Sequence, residues 1–151
     1  MNRRKRGERN RMQLCLPAIS VNEGVARSAI AAFCAQLDPS ATELADVKCA
    51  VSEAVTNCIV HAYVQRTGMI YITAVLRGSV LRVIVRDKGC GIADVEKARE
   101  PLFTTDAAGE RSGMGFAVME NFMDRLTVHS RPDKGTVIVM SKRIGCSVEK
   151  E

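Results

Sequence analysis

Helical spacing of apolar residues defines two segments in the first half of the chain. Apolar side chains recur every three or four positions after Ser20 and again after Ser40. This spacing predicts one helix to about Leu37 and a second to about Tyr63. Each serine is followed three positions later by a glutamate, the capping-box pattern that marks a helix start. We therefore predict two consecutive capped helices.

Alternation of apolar and other residues marks the strands. The predicted strands are 12–19, 69–76, 80–86, 126–130 and 136–142, and the predicted shorter helices are 94–100 and 116–123. Turn residues join the strands into two hairpins, and a long polar loop, 102–112, precedes the last helix. Hairpins interleaved with helices predict an α+β fold, with helices on one face of a mixed, mainly antiparallel sheet.

The net charge of +5 is concentrated at the N-terminus. Residues 1–11 hold six basic side chains and one acidic one, so the rest of the chain is neutral. We predict a basic disordered tail over 1–11, one domain over 12–143 and a C-terminal tail over 144–151. No apolar run follows the tail as in a secretory signal, and none reaches a membrane span of roughly 18 residues. These features favour a cytoplasmic protein that does not bind membranes.

Cysteine and aromatic content exclude further classes. The six cysteines include no C-x-x-C pair, which indicates reduced thiols rather than zinc ligands or disulfides. Tryptophan is absent and aromatic residues make up 4%, which argues against a stacking platform for single-stranded nucleic acid. We therefore expect no direct contact with nucleic acid.

Two glycine pairs border the long polar segment. Gly89 and Gly91 follow the strand 80–86, and Gly113 and Gly115 precede the helix 116–123. Glycine lets a ligand approach the backbone closely, and a helix N-terminus attracts phosphate. Each pair alone is more typical of an ordinary turn. Together they predict a nucleotide pocket with its lid.

A polar stripe lies on the second predicted helix. Glu53, Asn57 and His61 follow one another at four-residue spacing, which places them on one face. A solvated helix face is the ordinary interpretation. As chemistry, the Asn57 amide oxygen suits Mg²⁺, and the Glu53 carboxylate can take a proton from an attacking hydroxyl. Asp87, at a strand end, can accept a hydrogen bond from an adenine amino group.

The common phosphate-binding signatures are absent, but a rarer set of motifs is present. The sequence has no G-x-x-x-x-G-K-[ST], H-R-D or D-F-G motif, so it is neither a P-loop protein nor an ordinary protein kinase. The motifs resemble those of the GHKL ATPases, the group of gyrase, Hsp90, histidine kinases and MutL. The resembling motifs are the N box Glu53-x-x-x-Asn57-x-x-x-His61, the G1 box Asp87-x-Gly89-x-Gly91 and the G2 box Gly113-x-Gly115.

Longer segments narrow the resemblance. SEAVTNCIVHAY, AAFCAQLDP and EPLFTTDAAGERSGMGFAVMENFMD resemble the anti-sigma factors of this group that are also serine protein kinases. Ala62 departs from the glycine expected after the histidine. The resemblance covers about residues 12–143 and implies the GHKL (Bergerat) ATP-binding fold, a two-layer α/β sandwich.

The resemblance also implies an activity and its participants. It implies a kinase that uses ATP and Mg²⁺, inhibits a sporulation sigma factor (sigma F), phosphorylates the antagonist (anti-anti-sigma) protein on serine, and forms a homodimer. Glu53 would be the general base, Arg111 a γ-phosphate contact, Asn57 the Mg²⁺ ligand and Arg27 the docking residue for partners. The other implied nucleotide contacts are Asp87, Gly89, Gly91, Thr104, Thr105, Gly113, Met114, Gly115 and Thr136.

Two other functions remain open. A nucleotide-dependent module that sequesters a partner without catalysis is the main alternative, although a pure binder has no use for a positioned carboxylate at Glu53. A histidine kinase fragment or an ATP-gated clamp is less favoured, because residues 1–11 cannot form a helical hairpin that bears a phosphoacceptor histidine.

Overall fold

A computed structural model describes residues 7–100 and 115–145 of the chain. The elements in chain order are β1 (Glu8–Pro17), α1 (Val21–Cys34), α2 (Ala41–Asn57), β2 (Met69–Arg77), β3 (Val80–Arg86), α3 (Val95–Ala98), α4 (Gly115–Phe122), β4 (Arg125–Arg131) and β5 (Gly135–Arg143). A 3-10 turn, Ala35–Leu37, extends α1, and a π-helical turn, Cys58–Ala62, extends α2. Both predicted long helices are therefore present with about their predicted lengths.

The strands form one five-stranded sheet in the order β1-β2-β3-β5-β4. Every pairing among the described strands is antiparallel. Helices α1, α2 and α4 pack together, with α2 between the other two. The predicted α+β sandwich is confirmed, and its sheet is antiparallel throughout the described ranges.

The core lies between this sheet and the helices. Alternate residues of β2, β3 and β5 are fully buried and meet the apolar face of α2, as the strand and helix periodicities require. The largest fully buried side chains include Val47, Val51, Val55, Ile70, Ile72, Leu81, Val83 and Met140. Burial of each such side chain contributes about 1.5–3 kcal/mol to folding. This packing fixes α2 against the sheet, which matters for the site below.

The sheet and the core extend beyond the predicted domain edges at both ends. Strand β1 begins at Glu8, so residues 8–11, assigned to the tail, pair with the end of β2. The polar residues here break the apolar alternation, but β2 reaches Arg77 and offers its backbone groups to a longer partner. Ile144, also assigned to a tail, is 2% exposed in the core, and its N–H donates to the Ser79 carbonyl at 2.8 Å.

The two predicted capping boxes have different outcomes. At α2 the box is confirmed: Ser40 Oγ accepts from the Glu43 N–H at 3.1 Å, and Glu43 Oε2 accepts from the Ser40 N–H at 2.9 Å. At α1 the prediction is wrong, because Ser20 has helical dihedrals and makes no side-chain capping bond.

None of the helices within the described residues combines the length and the apolar character that a membrane span requires.

Candidate nucleotide site

The C-terminal half of α2 faces the first residue of α4. A Cβ built on Gly115 would lie 3.1 Å from Glu53 Oε2 and 3.6 Å from Asn57 Oδ1. Gly115 begins α4, and the N–H groups of a first helical turn carry partial positive charge. Because glycine has no side chain, the Glu53 carboxylate and the Asn57 amide oxygen reach the start of this helix directly. The predicted N box and the second glycine of the G2 box therefore meet in space.

Asp87 lies buried at the end of β3, with 6% of its surface exposed. Its Oδ1 atom accepts hydrogen bonds from the Gly89 N–H at 2.9 Å and the Thr136 N–H at 3.3 Å. Burial raises the pKa of Asp87, and the hydrogen bond from Gly89 opposes that shift. The fold thus holds a carboxyl group out of water at the point where the sequence predicts an adenine contact.

A thiol joins Asp87 to α2. Cys58 directly follows the last residue of α2, Asn57, and its Sγ–H donates to Asp87 Oδ2 at 3.6 Å. Burial raises the pKa of the Cys58 thiol, so it keeps its proton and remains a donor. Asp87 is therefore hydrogen-bonded to the residue that follows Asn57, one turn beyond Glu53.

The loop after Asp87 is seated against the end of α2. A Cβ on Gly89 would overlap the carbonyl oxygen of Ala62, so this close approach requires glycine. The Cys90 N–H donates to the same carbonyl at 2.9 Å. Tyr63, the residue after Ala62, also holds the loop, since its hydroxyl accepts from the Lys88 N–H at 2.8 Å and donates to the Met69 carbonyl at 2.7 Å.

Thr136, the first buried polar residue of β5, is 7% exposed and belongs to a hydrogen-bonded network. Its hydroxyl and that of Ser130 lie 2.8 Å apart, and Ser130 Oγ accepts from the Ile92 N–H at 2.7 Å. Sequence reasoning did not find Ser130. The alternation along β4 could have indicated it, because Leu126, Val128 and Ser130 all face the core side of the strand. A polar side chain at such a position needs a hydrogen-bond partner.

Arg27, in α1, is partly exposed and is held by two hydrogen bonds. Its Nη1 atom donates to Glu23 Oε1 at 2.7 Å and to Ser52 Oγ at 3.4 Å, and 38% of the side chain is exposed. The arginine therefore bridges α1 to the residue that precedes Glu53. Such a half-exposed ion pair contributes about 1 kcal/mol or less to stability.

A hollow of about 460 Å³ opens beside Asp87. Asp87, Thr136, Lys88 and Lys134 are among its lining residues, and Glu53 and Asn57 are not. The remaining predicted contacts, Thr104, Thr105, Arg111, Gly113 and Met114, lie outside the described residues. Of the predicted site residues that the structure describes, Glu53, Asn57, Asp87, Gly89, Gly115 and Thr136 gather where α2, the loop after β3 and the start of α4 meet.

The donor atoms fit a magnesium ion that a nucleotide brings with it. Among the described residues, no group of three or more His, Cys, Asp or Glu side chains could hold a metal. Asn57 Oδ1 is a hard oxygen donor, and it lies beside the helix start where phosphate is favoured. Magnesium commonly binds through one or two protein oxygens together with substrate phosphates. The site therefore matches Mg²⁺ with a nucleotide better than a metal ion held by the protein alone.

Comparison with known families agrees with this geometry. The family described as the histidine kinase-like ATPase domain matches residues 17–142. The chain therefore belongs to that family of ATPase domains, and the resemblance to GHKL ATPases is confirmed. Proteins named anti-sigma F factor are its relatives. One from Thermoanaerobacter pseudethanolicus is 54% identical over 136 residues, covering 90% of this chain and 95% of the relative. Another, from Bacillus subtilis, is 49% identical over 140 residues, covering 92% and 96%.

Solved structures support the same fold at lower identity. The RsbU and RsbW domains of Rv1364c from Mycobacterium tuberculosis match with a TM-score of 0.65 and 20% identity, over 89% of this chain and 32% of that chain. The catalytic domain of the histidine kinase ThkA matches with a TM-score of 0.56 and 17% identity, over 89% and 96%. At these identities the likeness establishes the shared architecture.

Proposed function

We propose that this protein is an ATP-dependent serine protein kinase and an anti-sigma factor. It binds and inhibits a sporulation sigma factor, sigma F, and phosphorylates the antagonist of that inhibition, an anti-anti-sigma protein, on serine. The proposal is carried by the contact of Gly115 with Glu53 and Asn57, which puts a carboxylate and a magnesium-type donor at a helix start. The names of relatives that are 49–54% identical support the choice of sigma F.

The nucleotide would bind with its base at Asp87. The buried carboxylate accepts a hydrogen bond from the adenine amino group, and Thr136 keeps that carboxylate in place through its backbone N–H. Gly89 and Gly91 would shape the loop beside the base, because each packs tightly against a backbone carbonyl, of Ala62 and Arg131 respectively. The phosphates would contact the lid and the start of α4, through Thr104, Thr105, Arg111, Gly113, Met114 and Gly115.

Phosphoryl transfer then depends mainly on positioning and charge. Mg²⁺, held by Asn57 and the phosphates, would neutralise charge on the transferring group. A bond forms between the serine oxygen and the γ-phosphorus, and the bond from that phosphorus to the bridging oxygen breaks, with its electron pair leaving on ADP. Glu53 takes the proton of the serine hydroxyl, and Arg111 balances charge at the γ-phosphate.

Protein partners would dock beside the start of α1. The exposed large apolar side chains include Ile19, Val21 and Val25, which are 50%, 67% and 47% exposed and lie close in sequence to Arg27. Exposed apolar residues next to a charged anchor are typical of a protein-binding surface. We also propose that the protein acts in the cytoplasm as a homodimer.

A transfer assay with radiolabelled ATP and the antagonist protein tests this function. Glu53→Gln should retain ATP binding and lose transfer by about a hundredfold or more, since the amide cannot take a proton. Glu120→Gln on α4, whose side chain is 61% exposed, is the matched control and should keep full activity. An antagonist in which the acceptor serine is replaced by alanine should not be labelled.

The same assay separates the alternative. If the wild-type protein binds ATP and its partners but never labels the antagonist, the non-catalytic sequestering module is the better description. If Glu53→Gln transfers at the wild-type rate, Glu53 is not the base.

A further inference from the structure

Helix α4 is connected to α2 at both of its ends. Gly115, the first residue of α4, lies against Glu53 in the second half of α2. Phe122, the last residue of α4, is linked through Lys142 to Asp46 in the first half of α2. The two helices therefore run antiparallel, and the contact at the candidate site and the contact at Lys142 belong to the same helix pair.

The two contacts have the same spacing on both helices. Asp46 and Glu53 lie about two turns apart on α2, and Gly115 and Phe122 lie about two turns apart on α4. With a rise of about 1.5 Å per residue, each separation is roughly 10 Å. Hydrogen bonds between successive turns keep the length of a helix fixed. A shift of α4 along its axis at the Phe122 end is therefore passed on to Gly115.

Lys142 is a largely buried cation of β5 that reaches both helices. Its side chain is 13% exposed, and its Nζ donates to the Phe122 carbonyl at 2.8 Å. The same Nζ lies 3.7 Å from Asp46 Oδ2. The last carbonyl groups of a helix carry partial negative charge, so a cation is favoured at the end of α4. The ammonium group thus joins β5, α4 and α2 at one point.

The neighbours of Lys142 fix the same end of α4 to the sheet. The Asp124 N–H donates to the Ser141 carbonyl at 2.9 Å, and Asp124 Oδ2 accepts from the Arg143 N–H at 2.7 Å. Lys142 lies between Ser141 and Arg143 on β5. Strand β5 therefore holds the chain that leaves α4, and Lys142 extends that hold to α2.

Apolar packing alone does not set the position of α4 along α2. Phe116 and Met119 of α4 are buried in the same core as Val47 and Val51 of α2. Apolar burial is non-directional, so it presses the helices together without choosing one position along their axes. A hydrogen bond and an ion pair between defined atoms do choose one. Lys142 supplies a polar link of that kind.

We propose that Lys142 is a positioning residue for phosphoryl transfer, because it holds α4 on α2 at the position where the start of α4 faces Glu53 and Asn57. The proposal rests on the proposed function, since transfer is the reaction that this position serves. Lys142 lies at the end of α4 away from Gly115, so it acts through the helices rather than by touching the nucleotide. The contact at Gly115 is close, and a misplacement of about 1 Å can slow catalysis by about a hundredfold.

Lys142→Met tests the link, because it removes the ammonium group and keeps an apolar stem. In the transfer assay, kcat should fall about tenfold, and KM for the antagonist should stay within about twofold. Asp46→Asn loses the ion pair and keeps the hydrogen bond to Phe122, so kcat should fall by about twofold to threefold. This milder variant decides the question if Lys142→Met does not fold. Circular dichroism and thermal melting establish that each protein is folded at the assay temperature.

Combining Lys142→Met with Gly115→Ala separates positioning from loss of stability. The two changes lie at opposite ends of α4, and sites more than about 7–10 Å apart ordinarily have additive effects. If Lys142 sets the position of Gly115, both changes disturb one contact. The combined variant should then be at most about threefold slower than the slower single variant, rather than slower by the product of the two effects.

Lys48→Met is the matched control. Lys48 is an exposed residue of α2, two positions after Asp46, so the same substitution there should leave kcat within about twofold of wild type. Titration calorimetry with ATP and Mg²⁺ provides a readout without transfer. Because the phosphates would contact the start of α4, Lys142→Met should bind ATP about tenfold more weakly than Lys48→Met.

Three results would overturn the proposal. The first is a wild-type kcat in folded Lys142→Met or, if that variant does not fold, in Asp46→Asn. The second is a loss in Lys142→Met that multiplies with the loss in Gly115→Ala, and the third is an equal loss in Lys48→Met. Wild-type protein that binds ATP but never labels the antagonist would instead refute the kinase function. Calorimetry then decides this inference, and equal ATP affinity in Lys142→Met and Lys48→Met would refute it.

Discussion

Asp87 and Thr136 are joined by two hydrogen bonds that run in opposite directions. The Asp87 N–H donates to the Thr136 carbonyl at 3.0 Å, and the Thr136 N–H donates to Asp87 Oδ1 at 3.3 Å. The carboxylate is therefore tied to β5 by its backbone and by one of its oxygens. Its other oxygen, Oδ2, faces the thiol of Cys58 on the α2 side.

This arrangement predicts the effect of Asp87→Asn on ATP binding. The new amide keeps an acceptor for Gly89 and Thr136 but replaces the second oxygen by an NH₂ group, which cannot accept from adenine. Loss of a charge-assisted hydrogen bond should weaken ATP binding by about tenfold to about a hundredfold. Titration calorimetry with ATP and Mg²⁺ measures this affinity. Asp38→Asn is the control and should bind normally, because Asp38 is exposed, does not line the hollow and has a φ of 53° that asparagine tolerates.

The raised pKa of Asp87 predicts a pH dependence of stability. Burial makes the folded protein hold this proton more tightly than the unfolded chain does. The stabilising contribution is therefore complete below the ordinary aspartate pKa and is lost as pH rises through the raised pKa. Relative to wild type, Asp87→Asn should gain free energy of unfolding from acid toward neutral pH, as measured by urea unfolding at each pH. If the free energy of unfolding of Asp87→Asn, relative to wild type, instead falls from acid toward neutral pH, the hydrogen bonds to Asp87 outweigh the effect of its burial on the pKa.

Gly115→Ala should separate stability from activity. Alanine stabilises a helix interior by about 0.5–1 kcal/mol relative to glycine, and less at Gly115, which is the first residue of α4. The added methyl group would crowd Glu53 Oε2 at 3.1 Å. We expect an unchanged or slightly higher melting temperature and at least about tenfold slower transfer to the antagonist, because catalysis is sensitive to small displacements. Gly24→Ala is the control, because the atom nearest to its added methyl group would be Arg27 Nη2 at an ordinary 3.7 Å. This variant should have a melting temperature similar to that of Gly115→Ala and should bind ATP normally. Full transfer activity in Gly115→Ala would show that Glu53 has room to move.

The fold could be predicted from sequence wherever periodicity reports burial. The apolar faces of α1 and α2 and the alternation of β2, β3 and β5 gave the layers correctly, because their side chains are packed on a single side. The predicted site residues came from motif resemblance instead. Spacing alone placed Glu53 and Asn57 on one helix face, but their proximity to Gly115 depends on how α4 packs against α2.

Features set by long-range contact could not be predicted. Residues 8–11 join β1 because β2 is long enough to pair with them, which their own polar sequence does not indicate. Counting charges along the chain showed a neutral body, whereas strand register collects Arg11, Arg82 and Arg125 in one row. Ser130 carries no motif, and its role appears only when β4, β5 and the loop at Ile92 are in place.

Ser130→Ala tests whether that hydroxyl positions the nucleotide loop. Its Oγ accepts from the Ile92 N–H at 2.7 Å and lies 2.8 Å from Thr136 Oγ1, so alanine leaves a half-buried donor unpaired. We expect a loss of about 1–3 kcal/mol in unfolding free energy. Because the loop 87–92 loosens, ATP affinity should fall as well. Ser130→Thr retains a hydroxyl and should restore both quantities, while Thr127→Ala at an exposed position of β4 should change neither. Normal ATP affinity in a destabilised Ser130→Ala protein would limit Ser130 to a structural role.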